Sequence, residues 1–237
     1  MRNNIILNGT NSNEIEGLLI SELPPITKPK IRTQIEEING RDGDIVTKLG
    51  YSAYDKEITI GLYEDFDIDQ VIQFFNSEGT VIFSNEPDMY YNYQILEQID
   101  FNRLIRFRTA KVRMHVQPFK YSAVEGTRTF TITTEDEITI NNSGNYMSKP
   151  LVTITGSGTI NLSVNDIQVL VITLNDNGET IAIDTNNMEA YNPSTQVLMN
   201  RSVTGDYNNL YLNSGKNTIS WTGTITQITI NNYSRWI

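Results

Sequence analysis

The 237-residue sequence has no cysteine and a single histidine, His115. The lack of cysteine excludes disulfides, thiolate nucleophiles and thiolate metal ligands. A histidine general base, including that of a Ser-His-Asp triad, would have to be His115, and no G-x-S-x-G elbow accompanies it. The phosphate-binding patterns G-x-x-x-x-G-K-[ST] and G-x-G-x-x-G are also missing. We therefore predict that the chain is not an enzyme and has no catalytic residue, cofactor or metal site.

Long apolar runs and excess positive charge are missing as well. No stretch approaches the roughly 18 apolar residues of a membrane-spanning helix, so we expect no membrane insertion, and the first residues have no apolar core of a signal peptide. The chain carries 18 Lys and Arg against 28 Asp and Glu, a net charge of −10. This balance argues against a protein that coats DNA, which needs a basic surface. It is compatible with a pore whose acidic wall repels DNA.

The two halves of the chain differ in composition. Charged residues are frequent up to about residue 120, whereas the second half is rich in Asn, Thr, Ser and Gly. Such a change is typical of a domain boundary. We predict one domain over residues 1–122 and a second over residues 127–237. Short β-type runs separated by turn signals predict that the second domain is a β-sandwich or jelly roll.

The first half combines strand patterns with one predicted helix. Residues 57–63 alternate between apolar and polar side chains, which is typical of a half-buried strand. Residues 67–79 begin with a capping aspartate, place Ile68, Val71, Ile72 and Phe75 at helical spacing, and end in Gly79. Residues 103–116 form the most basic stretch and predict a long strand, with a phase slip near residues 109–110 that suggests a β-bulge.

Three segments of the first half resemble the siphophage tail-component family that contains the distal tail (Dit) proteins. These segments are residues 38–55, with Ile-Asn-Gly-Arg-Asp-Gly at the start; residues 67–91, a helix leading into Val-Ile-Phe-Ser-Asn-Glu-Pro-Asp-Met-Tyr-Tyr; and the closing strand at residues 108–118. Residues 142–156, 183–185 and 215–219 resemble the family's outer domain more loosely.

The resemblance implies a fold that is mainly β: an N-terminal β-sandwich with one α-helix, followed by a galectin-like or carbohydrate-module-like β-sandwich. It implies a structural virion protein, made in the bacterial host cytoplasm, that forms a homohexameric ring at the distal end of the tail. The implied partners are the tail tube protein, the tail-associated lysin or tail-tip hub protein, and receptor-binding or baseplate proteins. DNA would pass through the lumen without specific binding.

Five residues are candidates for contacts between subunits: Arg41, Asp42, Glu86, Arg106 and Arg108. The loop that holds Arg41 and Asp42 lacks the spacing and closing glutamate of an EF-hand, so a tight turn is the simpler interpretation. Arg106 and Arg108 lie near aromatic residues, as in single-strand DNA platforms. In so acidic a chain we favour their pairing with carboxylates, within or between subunits.

Three aromatic residues, Tyr207, Tyr211 and Trp221, are candidates for sugar stacking, although aromatics more often pack in sandwich cores. The alternative function is therefore a carbohydrate-binding module or accessory adhesin of a phage or prophage. A third hypothesis, a cell-wall glycosidase, requires two carboxyl groups across a cleft. The carboxylate pairs of this chain lie at predicted strand ends, where a solvated surface explains them.

Overall fold

A computed structural model describes residues 2–237, which fold into two compact units. The first unit ends at Ala123 and also includes Ile237, and the second unit is Val124–Trp236. No helix within the described residues has both the length and the apolar character that crossing a membrane requires.

The first unit contains nine strands and two α-helices among its described residues. In chain order these are β1 (Ile5–Leu7), β2 (Thr10–Asn11), β3 (Leu18–Glu22), β4 (Ile31–Glu37), β5 (Asp44–Tyr51), β6 (Tyr54–Leu62), α1 (Ile68–Phe74), β7 (Glu78–Phe83), β8 (Met89–Gln94), α2 (Phe101–Phe107) and β9 (Thr109–Ser122).

An antiparallel sheet with the order β2-β1-β7-β8-β9-β6-β3 forms the body of the first unit. Strand β6 pairs with β9 over eight residues, and Ile58 lies opposite Val112. Alternate residues of both strands are buried, as the period of two predicts, and they meet Phe83 and Tyr91 in a single core. The strand predicted at residues 57–63 is therefore confirmed, with an earlier start at Tyr54.

Helix α1 begins where the sequence predicts and ends earlier. The Asp67 side chain accepts hydrogen bonds from the backbone amides of Asp69 and Gln70 at 2.9 and 3.3 Å, which satisfies amides that the first turn leaves free. Val71 and Phe74 are buried, but Ile72, predicted to face the core, is exposed. Because the helix stops at Phe74, the last residues of the predicted helix instead open strand β7.

Helix α2 corrects the prediction of a single helix and of a strand beginning at Arg103. The Asp100 carboxylate accepts from the Arg103 amide at 2.8 Å, and Leu104 is fully buried. Arg108 then adopts a left-handed conformation (φ 58°) and ends the helix. The phase slip in the sequence is thus a junction between a helix and a strand, and not a β-bulge.

The second unit contains strands and short 3-10 turns. The strands are β10 (Arg128–Thr131), β11 (Glu137–Asn142), β12 (Leu151–Val164), β13 (Ile167–Asp184), β14 (Glu189–Tyr191), β15 (Val203–Gly205), β16 (Gly215–Asn231) and β17 (Arg235–Trp236). The sheet has the order β10-β16-β12-β13-β14, with β11 also paired to β16 and β15 to β13. The fold is mainly β in both units, as expected for sandwich-type domains.

Two glycines allow the long strands of the second unit to bend. The register of β12 against β16 shifts next to Gly156 and Gly223. A Cβ atom on either glycine would lie 2.3 Å from a backbone carbonyl oxygen of the facing strand, and Gly223 also has φ +100°. Only glycine fits so close an approach. The bends let β12, β13 and β16 curl around one apolar core that includes Ile154, Ile172 and Trp221.

We predict that Ile172→Ala lowers the free energy of unfolding of the second unit by about 2–5 kcal/mol, since Ile172 is 0% exposed in this core. The matched control is Ile167→Ala on the same strand, which is 62% exposed and should change that free energy by less than about 0.5 kcal/mol. Trp221 lies in the same core, so denaturant titration followed by tryptophan fluorescence detects the unfolding of this core. Equal losses of unfolding free energy in Ile172→Ala and Ile167→Ala would contradict the assignment of Ile172 to the core.

Candidate functional site

Strands β4 and β5 form a two-stranded antiparallel sheet of their own, here called the hairpin. Its register pairs Ile35 with Val46 on one face, and these side chains are 59% and 56% exposed. An isolated two-stranded hairpin is at best marginally stable in water. The exposed apolar pair makes the hairpin a candidate surface for contact with another protein.

The turn of the hairpin carries two of the predicted interface residues, Arg41 and Asp42, and both are exposed. The Arg41 amide donates to the Ile38 carbonyl at 3.1 Å, and Gly40 and Gly43 have φ values of +85° and +77°. The loop is therefore a turn that uses glycine for its left-handed positions. Within residues 2–237 no cluster of three or more His, Asp or Glu side chains is arranged to hold a metal ion.

The base of the hairpin is tied to the main sheet by polar contacts to backbone carbonyls. Lys56 Nζ donates to the carbonyl of Pro25 at 3.1 Å, and Asn85 Nδ2 donates to that of Pro24 at 3.0 Å. At the far end of β5, the Tyr51 ring meets Phe119 edge-on at 5.8 Å between centroids. These contacts fix both chain segments that lead into and out of the hairpin.

Lys56 is buried inside what we call the lysine cage, the rings of Tyr54, Phe83 and Tyr91. Its Nζ atom lies 4.8 Å from the centroid of Tyr91, 5.5 Å from that of Phe83 and 5.7 Å from that of Tyr54. Cation–π attraction offsets part of the cost of removing an ammonium from water. Burial lowers the pKa of Lys56, and the negative charge of Glu86 opposes that change.

Glu86 supplies the negative charge beside the lysine cage. It is 8% exposed and accepts hydrogen bonds from Tyr91 Oη at 2.7 Å and from Lys120 Nζ. Burial acts to raise the pKa of Glu86, but the hydrogen bonds from Lys120 and Tyr91 and the charge of Lys56 outweigh it and hold the pKa below its usual value. The carboxylate of Glu86 is thus engaged within its own unit, and a contact of this residue with another subunit stays a prediction.

Arg106 and Arg108 lie at the exposed end of α2 and stack on aromatic rings. The Cζ atom of Arg106 is 5.2 Å from the centroid of Phe107, and that of Arg108 is 4.6 Å from the centroid of Phe66. Phe107 is 61% exposed. Together with Arg103, these four residues form what we call the arginine patch. The ion pairs within residues 2–237 involve other side chains, so the patch has no carboxylate partner among them.

The remaining basic side chains of β9 pair with carboxylates of the same unit. Lys111 contacts Glu57 at 2.6 Å, and His115 Nδ1 lies 2.8 Å from Asp55 Oδ1. Such exposed pairs contribute on the order of 0–1 kcal/mol each. Among residues 2–237, the hydrogen bonds of His115 reach no hydroxyl nucleophile, so the geometry of a catalytic triad is not assembled there.

The three aromatic candidates of the second unit do not form one exposed platform. Trp221 is buried in the core, and Tyr207 packs against that core with its hydroxyl buried. Tyr211 is half-buried. A groove of about 680 Å³ does exist in this unit, but it is lined by Asn175, Glu179, Arg201 and neighbours, without an aromatic ring. Stacking of a sugar on Tyr207, Tyr211 or Trp221 stays a prediction, and the burial of Trp221 makes it the least accessible of the three.

The fold of the chain is similar to that of phage adsorption-hub and baseplate proteins. One such structure, the SPP1 Dit (gp 19.1) protein of a hub adsorption apparatus in phages that infect Gram-positive bacteria, has a TM-score of 0.64 at 15% identity. That likeness covers 97% of this chain and 98% of the Dit chain.

A chain of the phage P2 baseplate in its activated conformation with calcium has a TM-score of 0.55 at 10% identity, over 97% of this chain and 96% of that chain. A chain of the phage p2 baseplate in its activated conformation with strontium has a TM-score of 0.52 at 11% identity, over 96% of this chain and 97% of that chain. No family model and no curated protein matches the sequence. The shared property is therefore the fold.

Lys56 and Asn85 are contacts that the sequence interpretation did not identify. A signal was present for Lys56, since it precedes Ile58 and Ile60 at the same parity on β6 and so lies on the buried face. A lysine on an apolar face requires a partner inside the protein. For Asn85, which follows β7 in a turn, no comparable pattern exists.

We predict that Glu86→Gln lowers the free energy of unfolding of the first unit by about 1–3 kcal/mol at pH 7, because two lysines lose their nearby carboxylate. The pKa of Glu86 is depressed in the folded chain, so its stabilisation is complete above the ordinary glutamate value of about 4.5 and is lost as the pH falls below it. The difference in the free energy of unfolding between wild type and Glu86→Gln should therefore decrease as the pH falls.

This difference can be measured by hydrogen exchange of peptides from residues 78–94 between pH 7 and pH 3, corrected for the intrinsic rate. Glu14→Gln, at an exposed position, is the matched control and should leave protection unchanged. A gap that stays constant over this pH range would contradict the assigned role of Glu86.

Proposed function

We propose that the chain is a structural component of a phage tail, a distal tail protein that forms a ring and joins the tail tube to baseplate or adhesion proteins. The observation that carries the proposal is a fold likeness to SPP1 Dit over nearly the full length of both chains. A likeness restricted to one sandwich would support little, because single β-sandwiches serve many functions. Here the likeness covers 97% of this chain and 98% of the Dit chain.

The hairpin supports self-association as the mechanism of assembly. Its exposed Ile35–Val46 pair and its unpaired strand edges lack cover within the described chain. A ring of identical subunits covers such a surface repeatedly and leaves no free copy at an end. We propose six copies, with residues 1–122 as the ring-forming domain and residues 127–237 as the outer domain toward adhesion proteins.

The charge of the chain is consistent with a DNA passage at the centre of the ring. A net charge of −10 repels phosphate and lets DNA and the tape-measure protein slide without sticking. The proposed contacts are the tube protein on one face and the tail-associated lysin or tip protein on the other. The proposed location is the virion, after synthesis in the bacterial host, and no step of this role requires catalysis.

We predict that Ile35→Lys weakens self-association strongly, since it places a charge in a surface that the ring would desolvate. The wild-type chain should form a closed oligomer at high concentration or with the proteins of its own tail. Sedimentation velocity gives the mass, and negative-stain images show whether the particle is a ring.

Ile167→Lys is the matched control, because this isoleucine is equally exposed but lies in the second unit. It should assemble like wild type. A wild-type chain that stays monomeric both alone and with its tail partners would overturn the proposed function.

A further inference from the structure

The arginine patch is a preorganised cationic surface. Stacking on Phe66 and Phe107 holds two guanidinium groups flat while their N–H donors remain free to bind carboxylates. Because their conformations are already restricted, less entropy is lost when a partner binds. Exposed Phe107 and Ile105 add apolar area beside the charges.

The hairpin tip, residues 36–44, has the opposite character. It carries the carboxylates of Glu36, Glu37, Asp42 and Asp44 against the single cation of Arg41. All five side chains are exposed, and the ion pairs within residues 2–237 do not involve any of them. Exposed Ile38 provides apolar area next to this charge.

We propose that the hairpin tip of one copy docks on the arginine patch of a second copy, through carboxylate–guanidinium pairs around an apolar contact. The proposal rests on the proposed self-association and names its contact. The two surfaces are opposite in charge and both have exposed apolar residues, and the ion pairs within residues 2–237 involve neither of them. Electrostatic complementarity of this kind fixes the register of subunits and the choice of partner.

The surroundings of the arginine patch favour a protein partner over DNA. Carboxylates flank it at Asp65, Asp67 and Asp100, and the last two cap the helices. A phosphate backbone, with one charge for about every 1.7 Å of duplex, would meet these carboxylates unfavourably. The hairpin tip, in contrast, presents discrete carboxylates and brings Arg41, which can pair with the flanking acids.

The test is a charge exchange in the full-length chain. Arg106→Glu/Arg108→Glu and, separately, Glu36→Lys/Glu37→Lys should each weaken assembly by roughly tenfold or more in apparent Kd. The chain that combines all four changes should recover much of the loss, because the pairs are restored with reversed sign. Sedimentation velocity at low salt measures the affinity, and circular dichroism checks the fold.

Arg128→Glu/Arg201→Glu is the matched control, with the same change in net charge at exposed arginines of the second unit. It should leave assembly unchanged. If the reversed arginine patch fails to fold, Arg106→Gln/Arg108→Gln is the substitute and should weaken assembly in the same direction. Wild-type assembly should also weaken as salt rises, because exposed charge pairs are screened.

Two results would overturn this inference and leave the proposed function intact, provided that the wild-type chain assembles. In the first, the charge-reversed variants assemble with the same affinity as wild type. In the second, the chain with all four changes does not recover any of the lost affinity. If Arg106→Glu/Arg108→Glu assembles normally but no longer binds a duplex DNA probe that wild type binds, the docking inference is overturned. The arginine patch would then be a nucleic-acid contact. A wild-type chain that does not assemble alone or with its tail partners would overturn both.

Discussion

The buried ammonium of Lys56 is the interaction on which the arrangement of the first unit depends. It joins three aromatic rings of the core, the carboxylate of Glu86 and the carbonyl of Pro25 at the base of the hairpin. An ammonium in an apolar interior is costly unless each of these partners is present. Because the Lys56 ammonium also donates to the Pro25 carbonyl, it fixes the position at which the chain leaves the sheet to form the hairpin.

The parts of the fold that were predictable from sequence are those with a local cause. The alternation around Ile58 and the capping of α1 by Asp67 depend on nearby residues, and both are present in the structure. Helix α2 was missed because Ile105 and Phe107 alternate like a strand. The buried Leu104 and the left-handed Arg108 that define this helix depend on tertiary packing.

The candidate site was predictable only in part, for the same reason. Exposure of the turn at Arg41 and Asp42 follows from its glycines, whereas the burial of Glu86 depends on Lys120, which is 34 residues away in sequence. The stacking of Arg108 on Phe66 likewise joins distant segments. Sequence patterns indicate which residues have unusual chemistry, but the pairing of those residues is a property of the fold.

An exposed apolar hairpin also has a consequence for the chain before assembly. Strand edges with paired isoleucine and valine are templates for wrong intermolecular pairing. The carboxylates that crowd the hairpin tip act as gatekeepers, because like charges repel when two identical tips approach each other. Pairing of two chains tip to tip is thus disfavoured.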